Sequence, residues 1–194
     1  MFEIPTSIQI GEQSLHIRNK GDYRMVLDCF AALNDVELDK EERVYCALII
    51  FYEEFNELED LMKCTFLNEA VKKMYWFFNC GDERGVGANK HRKLIDWEGD
   101  AQLIASAVNK VANIEIRSAE YIHWWTFMGY YLAIGESPLA TIVGIRSKIM
   151  EGKKLEKYEN KFKNDNPQYF IWDNKSLEEK ELEDEIMSVW NSGG

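Results

Sequence analysis

Three histidines and four cysteines are the side chains best suited to metal or nucleophilic chemistry in this chain, so their spacing is the first test of function. His16, His91 and His123 each lack a second histidine or cysteine three or four residues away. No helix turn therefore presents the ligand pair that a local zinc site requires. Cys29, Cys46, Cys64 and Cys80 stand seventeen, eighteen and sixteen residues apart, which fits neither a CxxC metal knuckle nor a small disulfide framework. They read as reduced thiols packed as small hydrophobes in an intracellular protein. No GxSxG elbow or HExxH pair occurs, and no serine carries the local signature of an activated nucleophile. The expectation is no catalytic set, no cofactor and no metal.

Two further groups invite chemistry and yield to structural explanations. Residues 81–93, GDERGVGANKHRK, set three glycines before Lys90, Arg92 and Lys93, so backbone N–H groups and positive charge could face an anion. A P-loop needs GxxxxGKS or GxxxxGKT directly after a buried strand. Here the glycines follow an aromatic helix and neither motif is present. The segment reads as a solvated loop, with a nucleotide- or phosphate-binding module as the lesser alternative. Acids crowd one helix end at Glu53, Glu54, Glu57, Glu59 and Asp60 and one helix start at Asp96, Glu98 and Asp100. Negative charge at a helix start is favoured by the dipole, and no glycosidase-like dyad is implied.

The densest feature is residues 121–136, YIHWWTFMGYYLAIGE. On a helix Tyr121, Trp124, Trp125, Met128, Tyr131 and Leu132 form a wide stripe. Stacking platforms for single-stranded nucleic acid place aromatics in a basic groove, whereas this stretch holds no Lys or Arg. The helix is therefore buried, or shared between a core and a subunit interface, where Trp and Tyr are favoured anchors. Tyr121, Trp124, Trp125, Met128 and Tyr131, with Leu182, Ile186 and Trp190 nearer the C-terminus, are the candidate partner-contacting residues.

Composition bounds the elements that must position these residues. The chain has 194 residues and a net charge of -11, with 46% hydrophobic and 13% aromatic content. That is enough apolar material for one folded domain. The acidic balance opposes counterion-release binding to phosphate backbones, so nucleic acid is not an expected partner. No leader-like start is evident, and no apolar run approaches the ~20 residues that span a bilayer, so a soluble protein is expected.

Alternation of Ile8 and Ile10, then Leu15 and Ile17, around residues 11–13 predicts a hairpin over about 5–18. Tyr23, Val26, Leu27, Phe30 and Leu33 then recur at helical spacing. Asp39 and Glu42 form a capping box for a second helix, whose apolar middle predicts a central place in the core. A third helix carries Ala70, Met74, Phe77 and Phe78 inward and ends at Gly81; Asp96 caps a fourth with Trp97, Ala101, Ile104 and Val108; Ser118 caps the aromatic helix, which Gly135 ends. Ser137 followed by Pro138 starts the next. The fold class is mostly α: a single-domain helical bundle of about six helices with a short N-terminal β-hairpin, over residues 1–172. Residues 173–194 are an acidic tail in which Leu182, Ile186 and Trp190 lie at roughly helical spacing, so it is either an amphipathic helix seeking an apolar surface or a solvated end.

Several of these runs together resemble the bacteriophage gene-product-fifteen family. The likeness rests on Asp96, Trp97 and Asp100 before an isoleucine-alanine helix, on His123, Trp124, Trp125 and Phe127, and on Arg146 at the end of a short helix. It extends to Tyr75-Trp76-Phe77-Phe78-Asn79-Cys80-Gly81 and to Asp22-Tyr23-Arg24 after the hairpin, covering about residues 5 to 160. The resemblance implies a mostly helical, non-enzymatic tail assembly chaperone of long-tailed phages or prophages. Such a protein binds the tape measure protein and in some cases the major tail protein, works in the host cytoplasm, and is absent from the mature virion. A homo-oligomer is expected, and a minor structural tail protein is the alternative.

Overall fold

The computed structural model describes residues 3–55, 64–82 and 94–171. Residues 83–93, most of the glycine loop, and the tail with Leu182, Ile186 and Trp190 lie outside the described residues. Within them the chain is mostly helical, as periodicity predicts, with seven α-helices after one antiparallel hairpin. Its residues group into two compact units. The described parts of the first are 3–55, 64–82 and 121–127, and those of the second are 94–120 and 128–171.

In the first unit, β1 (Ser7–Ile10) pairs with β2 (Gln13–His16). Ile8, Ile10 and Leu15 are buried on one face, as a period of two demands. Helix α1 (Tyr23–Leu33) is capped by Asp22, whose side chain accepts the Arg24 N–H. Its buried face is Tyr23, Met25, Val26, Cys29 and Leu33. The expected Leu27 and Phe30 are only half-buried, so the face is rotated part of a turn from the sequence reading. Burial pushes the Cys29 thiol up from its ordinary pKa, and the thiol is a packed core group facing the Ala47 carbonyl.

Helix α2 (Lys40–Phe51) begins with the expected capping box of Asp39 and Glu42. It is less central than its apolar middle predicts. A single stripe of Val44, Ala47, Leu48 and Phe51 is buried, while Tyr45 is 44% exposed. Helix α3 (Cys64–Phe78) buries Ala70, Met74, Phe77 and Phe78 as expected. Its end is a Schellman motif, with Gly81 N–H on the Trp76 carbonyl at 2.9 Å and Cys80 N–H on the Phe77 carbonyl at 3.0 Å. The left-handed position begins one residue before the predicted glycine, at Cys80 (φ 56), and continues at Gly81 (φ 76). Phe30, Phe51, Phe77 and Phe78 meet mostly edge-on in this core, Phe30–Phe78 at 5.1 Å and Phe51–Phe77 at 5.3 Å between centroids.

In the second unit, Asp96 does not cap a helix directly. Its carboxylate accepts the N–H groups of Glu98 and Gly99, closing a separate turn, and α4 (Ala101–Ala112) starts after Asp100. Helix α4 packs against α6 (Pro138–Met150), whose N-cap Ser137 and first-position proline are as predicted. A short helix α7 (Lys157–Asp165) follows. Helix α5 (Trp124–Leu132) starts six residues after the predicted cap. The Ser118 hydroxyl is instead spent on the Glu115 carbonyl in a preceding 3-10 turn, Ile116–Ser118. The helix also ends three residues before Gly135.

Gly21 (φ +81) joins a turn at Arg18–Gly21 to α1, and a β-carbon there would lie 2.7 Å from Phe77 Cζ and 2.9 Å from His123 Nε2. Gly21→Ala is expected to destabilise the protein by roughly 3 kcal/mol, from the left-handed backbone and the overpacking together. Urea denaturation checks this, with Gly129→Ala as control, since a β-carbon at Gly129 meets nothing within 4 Å.

Candidate functional site

The residues singled out by type or by resemblance assemble into three polar clusters. The first lies around Asp22 and His123 in the first unit. Asp22 is buried at 6% exposure, and its carboxylate accepts the Arg24 N–H and the Ile122 N–H, each at 3.0 Å, besides contacting the Arg24 guanidinium. Tyr23 N–H in turn reaches the Ile122 carbonyl at 2.9 Å, and Asp22 and His123 form an isolated β-bridge. Residues 119–123 are therefore held out of the helix. That is why α5 begins at Trp124 rather than behind Ser118, and why Tyr121 leaves the predicted stripe.

His123 is 2% exposed, and the bonds at its two ring nitrogens dictate its tautomer. Nδ1 accepts the Trp125 N–H at 3.1 Å, which makes the imidazole the N-cap of α5. Nε2–H donates to the Pro5 carbonyl at 3.1 Å. The neutral ring with its proton on Nε2 satisfies both contacts, and protonation of Nδ1 would turn the cap acceptor into a donor. Burial holds the His123 pKa below its ordinary value, opposed by the Pro5 carbonyl and the Asp22 charge.

The two tryptophans complete this cluster. Trp124 Nε1–H donates to the Phe78 carbonyl at 3.0 Å, and Trp125 Nε1–H to the Phe77 carbonyl at 2.9 Å. These are carbonyls of the last turn of α3; that of Phe77, already bonded to the Cys80 N–H, takes the Trp125 indole as a second donor. The indoles thus cap α3 with their N–H groups and fill the core with their rings. Trp124 is 1% exposed, edge-on to Phe30 at 5.7 Å and stacked on Phe127 at 5.6 Å. Trp125 is half-buried, with its Cη2 3.0 Å from where a β-carbon on Gly81 would stand. Tyr121 is 44% exposed and donates its hydroxyl to the Lys20 carbonyl at 2.9 Å.

The second cluster belongs to the second unit and centres on Arg146, whose side chain is 2% exposed. Its Nε–H and one Nη2–H reach the Tyr169 carbonyl at 2.9 and 2.7 Å. One Nη1–H reaches the Leu94 carbonyl at 2.9 Å, and the two nitrogens also grip the two oxygens of Asp100. All five guanidinium donors are used. Asp100, equally buried, also accepts the Asp96 N–H at 3.0 Å. Trp97 lies against Tyr131 at 5.5 Å between centroids. Burial, then the Asp100 charge, pushes the Tyr131 pKa up to about 12. Met128 and Tyr131 are half-buried.

The third cluster joins residues that the sequence reading named separately. His16 at the end of β2 meets Glu53 and Glu54 just after α2, with one ligand-type atom from each lying within 4.8 Å of the others. His16 Nδ1 contacts Glu54, whose other oxygen accepts the His16 backbone N–H at 2.9 Å. The Glu54 hydrogen bond raises the His16 pKa. The Glu54 pKa is lowered overall: its desolvation raises it, and the His16 contacts outweigh that. Among the described residues this is the one group of three that could hold a metal ion. Thirty-seven residues separate His16 from Glu53, so a search by local spacing could not find it.

Mostly helical elements stand behind a small hairpin, and the tryptophan, histidine and arginine motifs are used in internal capping and ion pairing. A family model described as bacteriophage Gp15 protein matches residues 3–170. The chain belongs to that family, and it is a phage protein. The match ends before the acidic tail. No curated protein and no solved structure matches it. No helix among the described residues is long and apolar enough to cross a membrane.

Two measurements check the buried clusters. Arg146→Met strands the Asp100 carboxylate in the interior and is expected to cost about 3–5 kcal/mol in urea denaturation. The double variant Asp100→Asn/Arg146→Met is expected to lose less, because no uncompensated charge remains. For His123 the folded pKa lies below the ordinary 6.5, so the unfolded chain binds more protons as pH falls past that value. Stability present above pH 6.5 is therefore lost on acidification. His16, with a raised pKa, acts in the opposite sense and above 6.5, and Glu54 acts below 4.5. A melting-temperature profile between about pH 6.5 and 4.5 is expected to fall in the parent protein and to flatten in His123→Asn, which can cap but cannot titrate there.

Proposed function

We propose that this phage protein is a non-enzymatic tail assembly chaperone that holds the tape measure protein, and in turn tail tube subunits, before the long tail polymerises. The observation that carries this reading is how the residues of the family likeness are used. His123, Trp124, Trp125, Asp100 and Arg146 are spent on capping and pairing within their own chain, and a substrate pocket would need such groups presented outward. The signature thus encodes a scaffold, and binding falls to its surface. Leu132, Val36 and Ile171 stand 76%, 65% and 83% exposed, and single apolar side chains of this kind on a strongly acidic protein suit a soluble holder of an apolar helical client.

In this reading the protein acts in the host cytoplasm, self-associates around its client and leaves before the virion matures. Co-expression with the tape measure protein of the same phage is the test. The client is expected to shift from the pellet to the soluble fraction and to co-purify with this chain, and a client equally soluble alone would sink the proposal. The second reading, a minor structural tail protein, predicts instead that mass spectrometry of purified virions detects the chain.

A further inference from the structure

We propose that His16, Glu53 and Glu54 form a surface site for one divalent transition-metal cation, with Zn2+ as the best-suited ion, which clasps the hairpin to the segment that leaves α2. One imidazole nitrogen and two carboxylates are the mixed donor set that such ions take, whereas Mg2+ and Ca2+ prefer oxygen alone. The two carboxylates carry the charge that neutralises a divalent ion, on a chain whose net charge is already -11.

The donors come from separate elements, and the backbone fixes their spacing. Ile17 bridges Tyr52, Glu53 N–H donates to the His16 carbonyl at 3.0 Å, and the His16 N–H donates to Glu54 at 2.9 Å. Three ligand atoms about 2.1 Å from a shared ion would lie roughly 3.4 Å apart in a tetrahedron. They now lie within 4.8 Å, and the exposed Glu53 side chain can supply the closure by a change of rotamer. On binding, the ion takes the Nδ1 lone pair; the Nδ1 proton is released to solvent from the imidazolium, or moves to Nε2 in the neutral ring, and water fills the remaining coordination position. The Glu54 oxygen bonded to the His16 N–H remains as the outer support that orients the ligand.

The experiment is calorimetric titration of the full, chelator-stripped chain with Zn2+, and with Mg2+ as control. One saturable equivalent of Zn2+ is expected, weakened at least about tenfold in both Glu53→Gln and His16→Asn, with no Mg2+ signal. Glu53→Gln is the decisive variant, because Glu53 lies outside the His16–Glu54 contact and its loss leaves that pairing intact. Co2+ substitution supplies a second readout, since a site of nitrogen and oxygen ligands lacks the intense near-ultraviolet band of a thiolate complex. The proposal is overturned by absence of saturable Zn2+ binding, by binding equally tight in both variants, or by a thiolate band that moves the ion to the cysteines.

Discussion

The hydrogen bond from the Ile122 N–H to the Asp22 carboxylate is the constraint on which the first unit turns. One short side chain caps α1, pairs with Arg24 and takes a backbone donor from a residue a hundred positions away. A helix running from Ser118 would have needed the Ile122 N–H for its own ladder. With that donor committed to Asp22 and the Ile122 carbonyl committed to Tyr23, residues 119–123 stay extended and the helix waits until His123 can cap it with a ring nitrogen. The start of α5 then sets the direction of both indoles, whose N–H groups meet the Phe78 and Phe77 carbonyls at the end of α3. Moving that start by one residue would turn each tryptophan about 100° around the helix and break both indole bonds.

The second unit uses a stronger and more costly device. A buried arginine and aspartate are tolerable only when every donor and most lone pairs are satisfied. Arg146 meets that demand by joining α6 to the residues before α4 through Leu94 and Asp100, and to the chain beyond α7 through Tyr169. Apolar groups of the same volume would pack as well but would not specify which carbonyls come together. The geometry therefore favours a reading in which this pair selects one arrangement of helices.

These assignments bear on function by elimination of roles among particular residues. A histidine beside two tryptophans invites a ligand-binding interpretation, yet each of the three polar heads is turned to a backbone group of the same chain. Among the described residues, the outer surface carries exposed apolar side chains and one histidine-carboxylate cluster.

Much of the fold was legible in the sequence because its signals are local. Alternation at Ile8, Ile10 and Leu15 reads as a hairpin; Asp39 with Glu42, and Ser137 with Pro138, read as helix starts; and Ala70, Met74, Phe77 and Phe78 read as one inner face. Each depends on residues within a turn or two of one another, so the chain itself carries the information. The misreadings at Ser118 and Asp96 have other causes. At Ser118 the competitor is Asp22, distant in sequence, which takes the Ile122 N–H; at Asp96 it is a local turn through Glu98, Gly99 and Asp100. The sequence by itself determined the hairpin, the helical class and the family. Only the tertiary structure decided that His123 closes on Pro5, that Arg146 closes on Asp100, and that His16 stands beside Glu53 and Glu54, because Pro5 lies 118 positions from His123, Asp100 46 from Arg146 and Glu54 38 from His16, and no local pattern reports them.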